Sequence, residues 1–289
     1  MRKSFLSFSA ALIVGLLFVG CSPEKILEQG DDAAEAAETA SDFAAAESAF
    51  EEILDIVEEE AKQQGDLNGF VSSEEAEDRS CAEVNITSAA PGEFPVTMTL
   101  NFGEGCALAD GRIVSGVITT VFTGKLRNDG SAYTISFDNF ILDGRTISGT
   151  KTVTNNGLNA DNQLNFTISI ENGLMIYPNG DQVTFVSERT RTWVEGQDTK
   201  FETDGIDGIK DDVWEIVGTA TGTSKNGNGF EVTITSPLRS EMNCRWITAG
   251  TIEIDTDAFN QSIEIDYGEG NCDDKAQVTF GLIKRDITL

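Results

Sequence analysis

Histidine is absent from all 289 residues, and that absence bounds the chemistry open to the chain. Without imidazole there is no Ser-His-Asp triad, no Cys-His dyad, no HExxH zinc site and no histidine general base. Carboxylate, lysine and thiol chemistry remain. Ser148-Gly149-Thr150-Lys151 has the S-x-x-K spacing in which a lysine activates a serine nucleophile. That use needs the serine at the start of a helix, whereas here the tetrapeptide sits between an Asp-Gly-Arg turn and a Thr/Val-rich run, and the companion motifs are missing. Paired carboxylates can hydrolyse glycosides without histidine, but among 49 acidic residues no pair stands out by spacing. No catalytic residue is assigned, and the chain is read as non-enzymatic.

Two groups of acids deserve a cation-binding reading. Asp204, Asp207, Asp211 and Asp212 lie in TDGIDGIKDDVW, where two glycines let the backbone wrap a hard cation. The spacing is not that of an EF-hand, and an acidic turn leading into a strand at Trp214 is the simpler account. Glu104 and Asp110, with Glu269, Asp273 and Asp274, flank two Gly-Glu-Gly loops whose glycines more simply supply positive φ. Trp193, ending the run Arg189-Thr190-Arg191-Thr192-Trp193, offers a ring on which a sugar can stack, although guanidinium over a ring is the commoner use of such a strip. No metal ligand and no cofactor are assigned.

The cysteines organise the chain. Cys81 to Cys106 and Cys244 to Cys272 share four landmarks in the same order: a cysteine, a short mixed run, a strand-like alternating run, then an aromatic residue with Gly-Glu-Gly and a second cysteine. This is an internal duplication. Cys21 stands apart, at the end of an apolar N-terminal segment. Arg2 and Lys3 precede Phe5–Val19, a stretch too short to span a bilayer as a stable helix and therefore a secretory signal, residues 1–20. Export to an oxidising space makes the other four cysteines a disulfide set. Three pairings are open to them, and the duplication favours Cys81 with Cys106 and Cys244 with Cys272.

The elements that carry these residues follow from composition and period. Residues 21–30 read as a tether. Residues 31–65 are rich in Ala and Glu without an internal Pro or Gly, and Phe43, Ala46, Phe50, Leu54, Val57 and Ala61 recur at spacings of three or four. That is an acidic amphipathic helix with a narrow apolar stripe, expected to dock on its own β body by its second half and to leave its first half as a solvated stalk. Residues 66–80 form a polar linker. From 81 to 289 the apolar residues alternate with polar ones, as in Val96, Met98, Leu100, Phe102 and in Leu164, Phe166, Ile168, Ile170. Asp129-Gly130, Asp143-Gly144, Asn156-Gly157, Asn179-Gly180 and Asn226-Gly227 are the expected hairpin turns. The fold class is all-β: an antiparallel meander of hairpins, about 11 to 13 strands, closed as a sandwich or left as an open curved sheet.

Leu17-Phe18-Val19-Gly20-Cys21-Ser22 resembles the lipobox of bacterial lipoproteins, with Phe18 where leucine is usual. The resemblance implies that Cys21 is lipidated and becomes the mature N-terminus, which ties the protein to a membrane without a transmembrane helix. Further motifs, FGEGC, TISFDNF, ISGTKTVTN, RTRTWVEG and IDYGEGNCDDKA, are similar to those of a family of β-rich lipoproteins of Bacteroidota. That likeness covers nearly all of the mature chain and implies the outer membrane of a Gram-negative envelope, on the periplasmic or the surface side. It carries no activity to any residue. With 20 basic and 49 acidic residues and a net charge of −29, nucleic acid is excluded as a partner. The expected function is that of a non-catalytic, outer-membrane-anchored lipoprotein with a structural or protein-partner role. The alternative is a glycan- or calcium-binding module of a surface complex.

Overall fold

The computed structural model describes residues 23–64, 81–90, 92–199, 201–205 and 207–289. The signal segment, Cys21 and the linker at 66–80 lie outside the described residues. A long helix, α1 (Pro23–Gln63), is followed by β1 (Glu83–Thr87), β2 (Val96–Asn101), β3 (Cys106–Ala107), β4 (Ile113–Phe122), β5 (Ala132–Leu142), β6 (Arg145–Leu158), β7 (Leu164–Ile176) and β8 (Gln182–Glu195). Two single-turn helices, α2 (Phe201–Asp204) and α3 (Asp207–Lys210), lead into β9 (Val213–Thr223), β10 (Gly229–Glu241), β11 (Ala249–Thr256), β12 (Ile263–Glu269), β13 (Lys275–Phe280) and β14 (Ile283–Thr288).

Each strand pairs antiparallel with the next along the chain, from β1 at one edge to β14 at the other, except that β2 pairs with β4, to which two-residue β3 also adds. The sheet is a single open meander, which decides the question that period-two alternation left open between a sandwich and a curved sheet. Asp143-Gly144 is a two-residue hairpin turn with both residues at positive φ, 47° and 79°, the geometry that matches strand twist. Asn156-Gly157 is a correction. It lies within β6 beside a register shift between Asn155 and Leu158, and the chain reverses later, where Asn159 accepts hydrogen bonds from Asp161 and Gln163. Gly116 marks another irregularity between Ser115 and Val117. A Cβ there would stand 2.2 Å from the Asn139 carbonyl oxygen, so two backbones meet at a distance that only glycine allows.

The sheet curls around α1. Strands far apart in the sheet touch the helix: Tyr133 of β5 meets Glu58, Lys151 of β6 meets Glu51, Arg189 of β8 meets Glu47, and Phe230 of β10 packs on Phe43. Between Asp42 and Ala61 only Ala45, Asp55 and Glu59 escape full burial. This corrects the expected narrow stripe. The acids of the helix face inward as much as its aromatics do. The expected solvated first half is corrected in part: Ala33, Ala36, Thr39 and Ala40 are buried, whereas Ala34 is exposed and Asp32, Glu35, Ala37 and Glu38 are half-buried. Helix also extends through residues 23–30, where a tether was expected. The physical reason is the enclosure: from Asp42 onward a helix surrounded by the curled sheet has almost no solvent face, and alanines let that sheet approach closely.

The core is therefore a cylinder of strand side chains packed on a central helix. Phe50 stacks on Phe185 at 5.7 Å, and Phe137 and Phe43 close the cluster around it. Among the described residues no helix is long and apolar enough to cross a membrane.

Candidate functional site

The most unusual chemistry of the molecule is inside it. Glu47, Glu51, Asp55 and Glu58 recur at spacings of four, four and three along α1 and so share a face, with Glu52 beside them. Opposite, Arg189 and Arg191 stand two apart on β8, which places both on the inner face with Phe185 and Trp193. Arg189 Nη2 donates to Glu47 Oε2 at 2.8 Å, and Lys151 Nζ donates to Glu51 Oε1 at 3.2 Å and to the Phe50 carbonyl at 2.8 Å. Arg112 donates to the Glu52 carbonyl at 3.1 Å, while Arg245 Nε reaches the Glu52 carboxylate at 3.2 Å. Arg191 serves two acids, Asp55 and Glu58, each at 3.5 Å. Tyr133 donates its hydroxyl to Glu58.

The electrostatics of these groups divide by how well each is paired. Burial pushes the Glu51 carboxyl up, but Lys151 and Arg191 more than offset it and hold the group below its ordinary range. Burial wins at Glu52, which is raised despite Arg245 and Arg112. It wins decisively at Asp55, pushed up to about 7, where Arg191 opposes the shift and Glu51 and Glu58 add to it. Asp55 keeps 19 % of its side chain open, yet its Oδ1 is covered and accepts no hydrogen bond. One guanidinium shared between two carboxylates at 3.5 Å leaves Asp55 under-paired, whereas Glu58 also accepts the Tyr133 hydroxyl.

This network accounts for the residues that the sequence offered for other work. Lys151 is fully buried against α1 and is no partner for Ser148. Trp193 is 2 % exposed, with Arg127 over its ring at 4.3 Å and Trp214 at 4.5 Å; it offers no free face to a sugar. Asp204 and Asp207 are exposed on α2 and α3, Asp211 accepts from the Thr199 hydroxyl, and Asp212 is buried. Among the described residues no group of three or more acids and cysteines is arranged to hold a metal ion. Nor do the Gly-Glu-Gly loops meet. The bridges Cys81–Cys106 and Cys244–Cys272 both form, and each closes the open end of one hairpin, β1–β2 or β11–β12. The two bridged regions are linked through Arg245, beside Cys244, which pairs with Asp143 at 2.5 Å and shares the Glu52 carboxylate with Arg112. The first loop carries an ion pair between Asp110 and Arg112 at 2.6 Å, and the second a turn in which Asp273 accepts from the Lys275 amide.

A groove of about 440 Å³ opens beside residues 195–199 and Asp211. Its acids are engaged in part elsewhere, Glu195 with Arg239 at 2.9 Å.

Sequence reasoning passed over the ion-pair interior, although a signal for it was present. Lys151 shares its parity with Val153, and Arg189 and Arg191 share theirs with Phe185 and Trp193; a cation on the apolar side of an alternating strand requires a buried anion. The helix supplies that anion. No protein-family model matches the chain, and neither a curated protein nor a solved structure matches it.

Proposed function

We propose that the protein is a non-catalytic lipoprotein, anchored through Cys21 to the outer membrane of a bacterial envelope, with a structural or protein-binding role. One observation carries the non-catalytic part of this reading. The concave side of the sheet, where a curved meander would hold a substrate or ligand, is filled by the chain's own helix. What the molecule offers to others is the outer face. There Thr134, Thr152, Ser169, Glu188, Thr219 and Thr233 lie side by side across β5 to β10, a row of five hydroxyls and one carboxylate. Membrane attachment is supported by the lipobox-like run at Cys21.

The test is incorporation of labelled fatty acid into the wild-type chain and into Cys21→Ser, followed by fractionation. The reading requires label on the wild type alone and release of the variant from the membrane fraction. A variant that stays in the membrane would refute it. Protease shaving of intact and permeabilised cells then separates the surface side from the periplasmic side.

A further inference from the structure

The anchor and the body are joined by one helix, which has a geometric consequence that rests on the lipid-anchor reading above. Only Ser22 separates Cys21 from Pro23, where α1 begins. Along α1, Glu35 and Glu38 accept hydrogen bonds from Asn228 and Asn226, and Asp42 accepts the Lys225 amide. These three partners form the turn between β9 and β10. Farther on, Glu58 meets Tyr133 near the opposite mouth. The N-terminal end of the helix therefore leaves the cylinder by the mouth that holds the β9–β10 turn.

Strand register assigns other turns to the same mouth. Phe280 pairs with Ile263, Ile263 with Ile254, and Ile254 with Val232, two residues from Phe230, whose ring packs on Phe43. The β13–β14 turn, with fully exposed Leu282, thus shares this rim. The other mouth carries the long connections at 123–131 and 196–212, joined by Arg127, which donates to the Thr199 carbonyl at 3.0 Å.

We propose that the protein stands end-on on its membrane, the short-turn mouth toward the lipid surface and the long-loop mouth away from it. From Pro23 to Ala33, which is buried, α1 rises about 15 Å at about 1.5 Å per residue. That stand-off approaches twice the Debye length of about 8 Å at physiological ionic strength. The separation suits this body. Arg112, Lys151, Arg189 and Arg191 are buried together with the acids of α1 that they face, so most of the net charge of −29 remains at the surface, and anionic headgroups would repel it at contact. A continuous helix also fixes the orientation, which a flexible tether would not.

The experiment uses the full lipidated chain in phosphatidylethanolamine–phosphatidylglycerol vesicles with an acceptor dye on the headgroups. A donor dye is placed through an unnatural amino acid at Leu282 on one rim or at Ala160 on the other. Energy transfer is expected to be several-fold stronger from position 282. Equal transfer, or stronger transfer from 160, overturns the orientation while leaving the anchor reading intact. Absence of transfer from both positions, with the chain left in solution, overturns the anchor and the orientation together. Inserting Gly-Gly-Ser after Asp31 breaks the rigid link, and the difference between the positions should then be lost; a difference that persists shows that something other than the helix sets the orientation.

Discussion

Asp55 gives the sharpest test of the buried network. In the unfolded chain its carboxyl titrates near the ordinary 3.8, and in the folded protein near 7. Between those values the native state holds a proton that the unfolded chain has lost, so the contribution of this group to stability is complete below about pH 4 and declines as pH rises, by about 1.4 kcal/mol per unit. Above about pH 7 the ionised carboxylate is carried at full cost. The gap between the two values corresponds to about 4 kcal/mol, an upper bound because 19 % of the side chain is open to solvent. Asp55→Asn replaces the group with a neutral isostere and leaves Arg191 to Glu58. Urea unfolding followed by tryptophan fluorescence should find the two proteins about equally stable below about pH 4, the variant ahead by about 1 to 2 kcal/mol at pH 5, and ahead by about 2 to 4 kcal/mol at pH 8.5. Glu52, Asp42 and Glu60 are also raised by burial, so both proteins keep some pH dependence and the difference between them isolates Asp55. A variant less stable than the wild type at pH 8.5, or one with an unchanged pH slope, would refute the argument.

Three further substitutions probe the same architecture. Lys151→Met strands Glu51 in the interior and should cost about 3 to 5 kcal/mol, most of it recovered by adding Glu51→Leu; a double variant no more stable than the single one would show that the pair is not what matters. Gly116→Ala puts a methyl group 2.2 Å from the Asn139 carbonyl at a φ of +83°, so urea titration should register a loss of more than about 1 kcal/mol, and an unchanged midpoint would mean that the bulge relaxes freely. Replacing Cys244 and Cys272 together by alanine opens a loop of 28 residues, expected to cost about 3 to 4 kcal/mol and readable as a lowered Tm, whereas alkylation of either cysteine without reductant would contradict the bridge itself.

How much of this could be read in advance depends on which residues carried the information. Alternation such as Leu164, Phe166, Ile168, Ile170 specifies a strand and its buried side, because the side-chain period is two, and β7 follows it. The duplicated Cys units pair as their repetition suggested, since a bridge at the open end of a hairpin joins residues that the hairpin already brings together. Asp143-Gly144 made its turn, while Asn156-Gly157, with the same local preference for positive φ, became a bulge because β6 continued its pairing past it. The helix was the least legible element. Its apolar stripe is real, but Ala36, Ala40 and Ala49 pack on any side, and Glu47 and Glu51 read as solvent-facing until a strand supplies Arg189 and Lys151. Enclosure is a property of the partner surface, and no period within 31–65 encodes it.

The distribution of charge then connects fold to role. Because Lys151, Arg189 and Arg191 neutralise α1 from inside, the outer face is left with few cations and with like charges directly opposed, Glu231 against Asp255 and Glu253 against Glu264. Cross-strand pairs of one sign oppose sheet pairing, and a core held by enclosure of a whole helix tolerates them. Such a face repels nucleic acid, anionic lipid and other copies of itself at close range, and the repulsion falls with added salt. A partner on that face must bring positive charge, or must read the hydroxyl rows between the acids. Binding through the first route would weaken steeply between low and physiological salt, and binding through the second would not. The salt dependence of any captured partner therefore identifies which part of the outer face it uses.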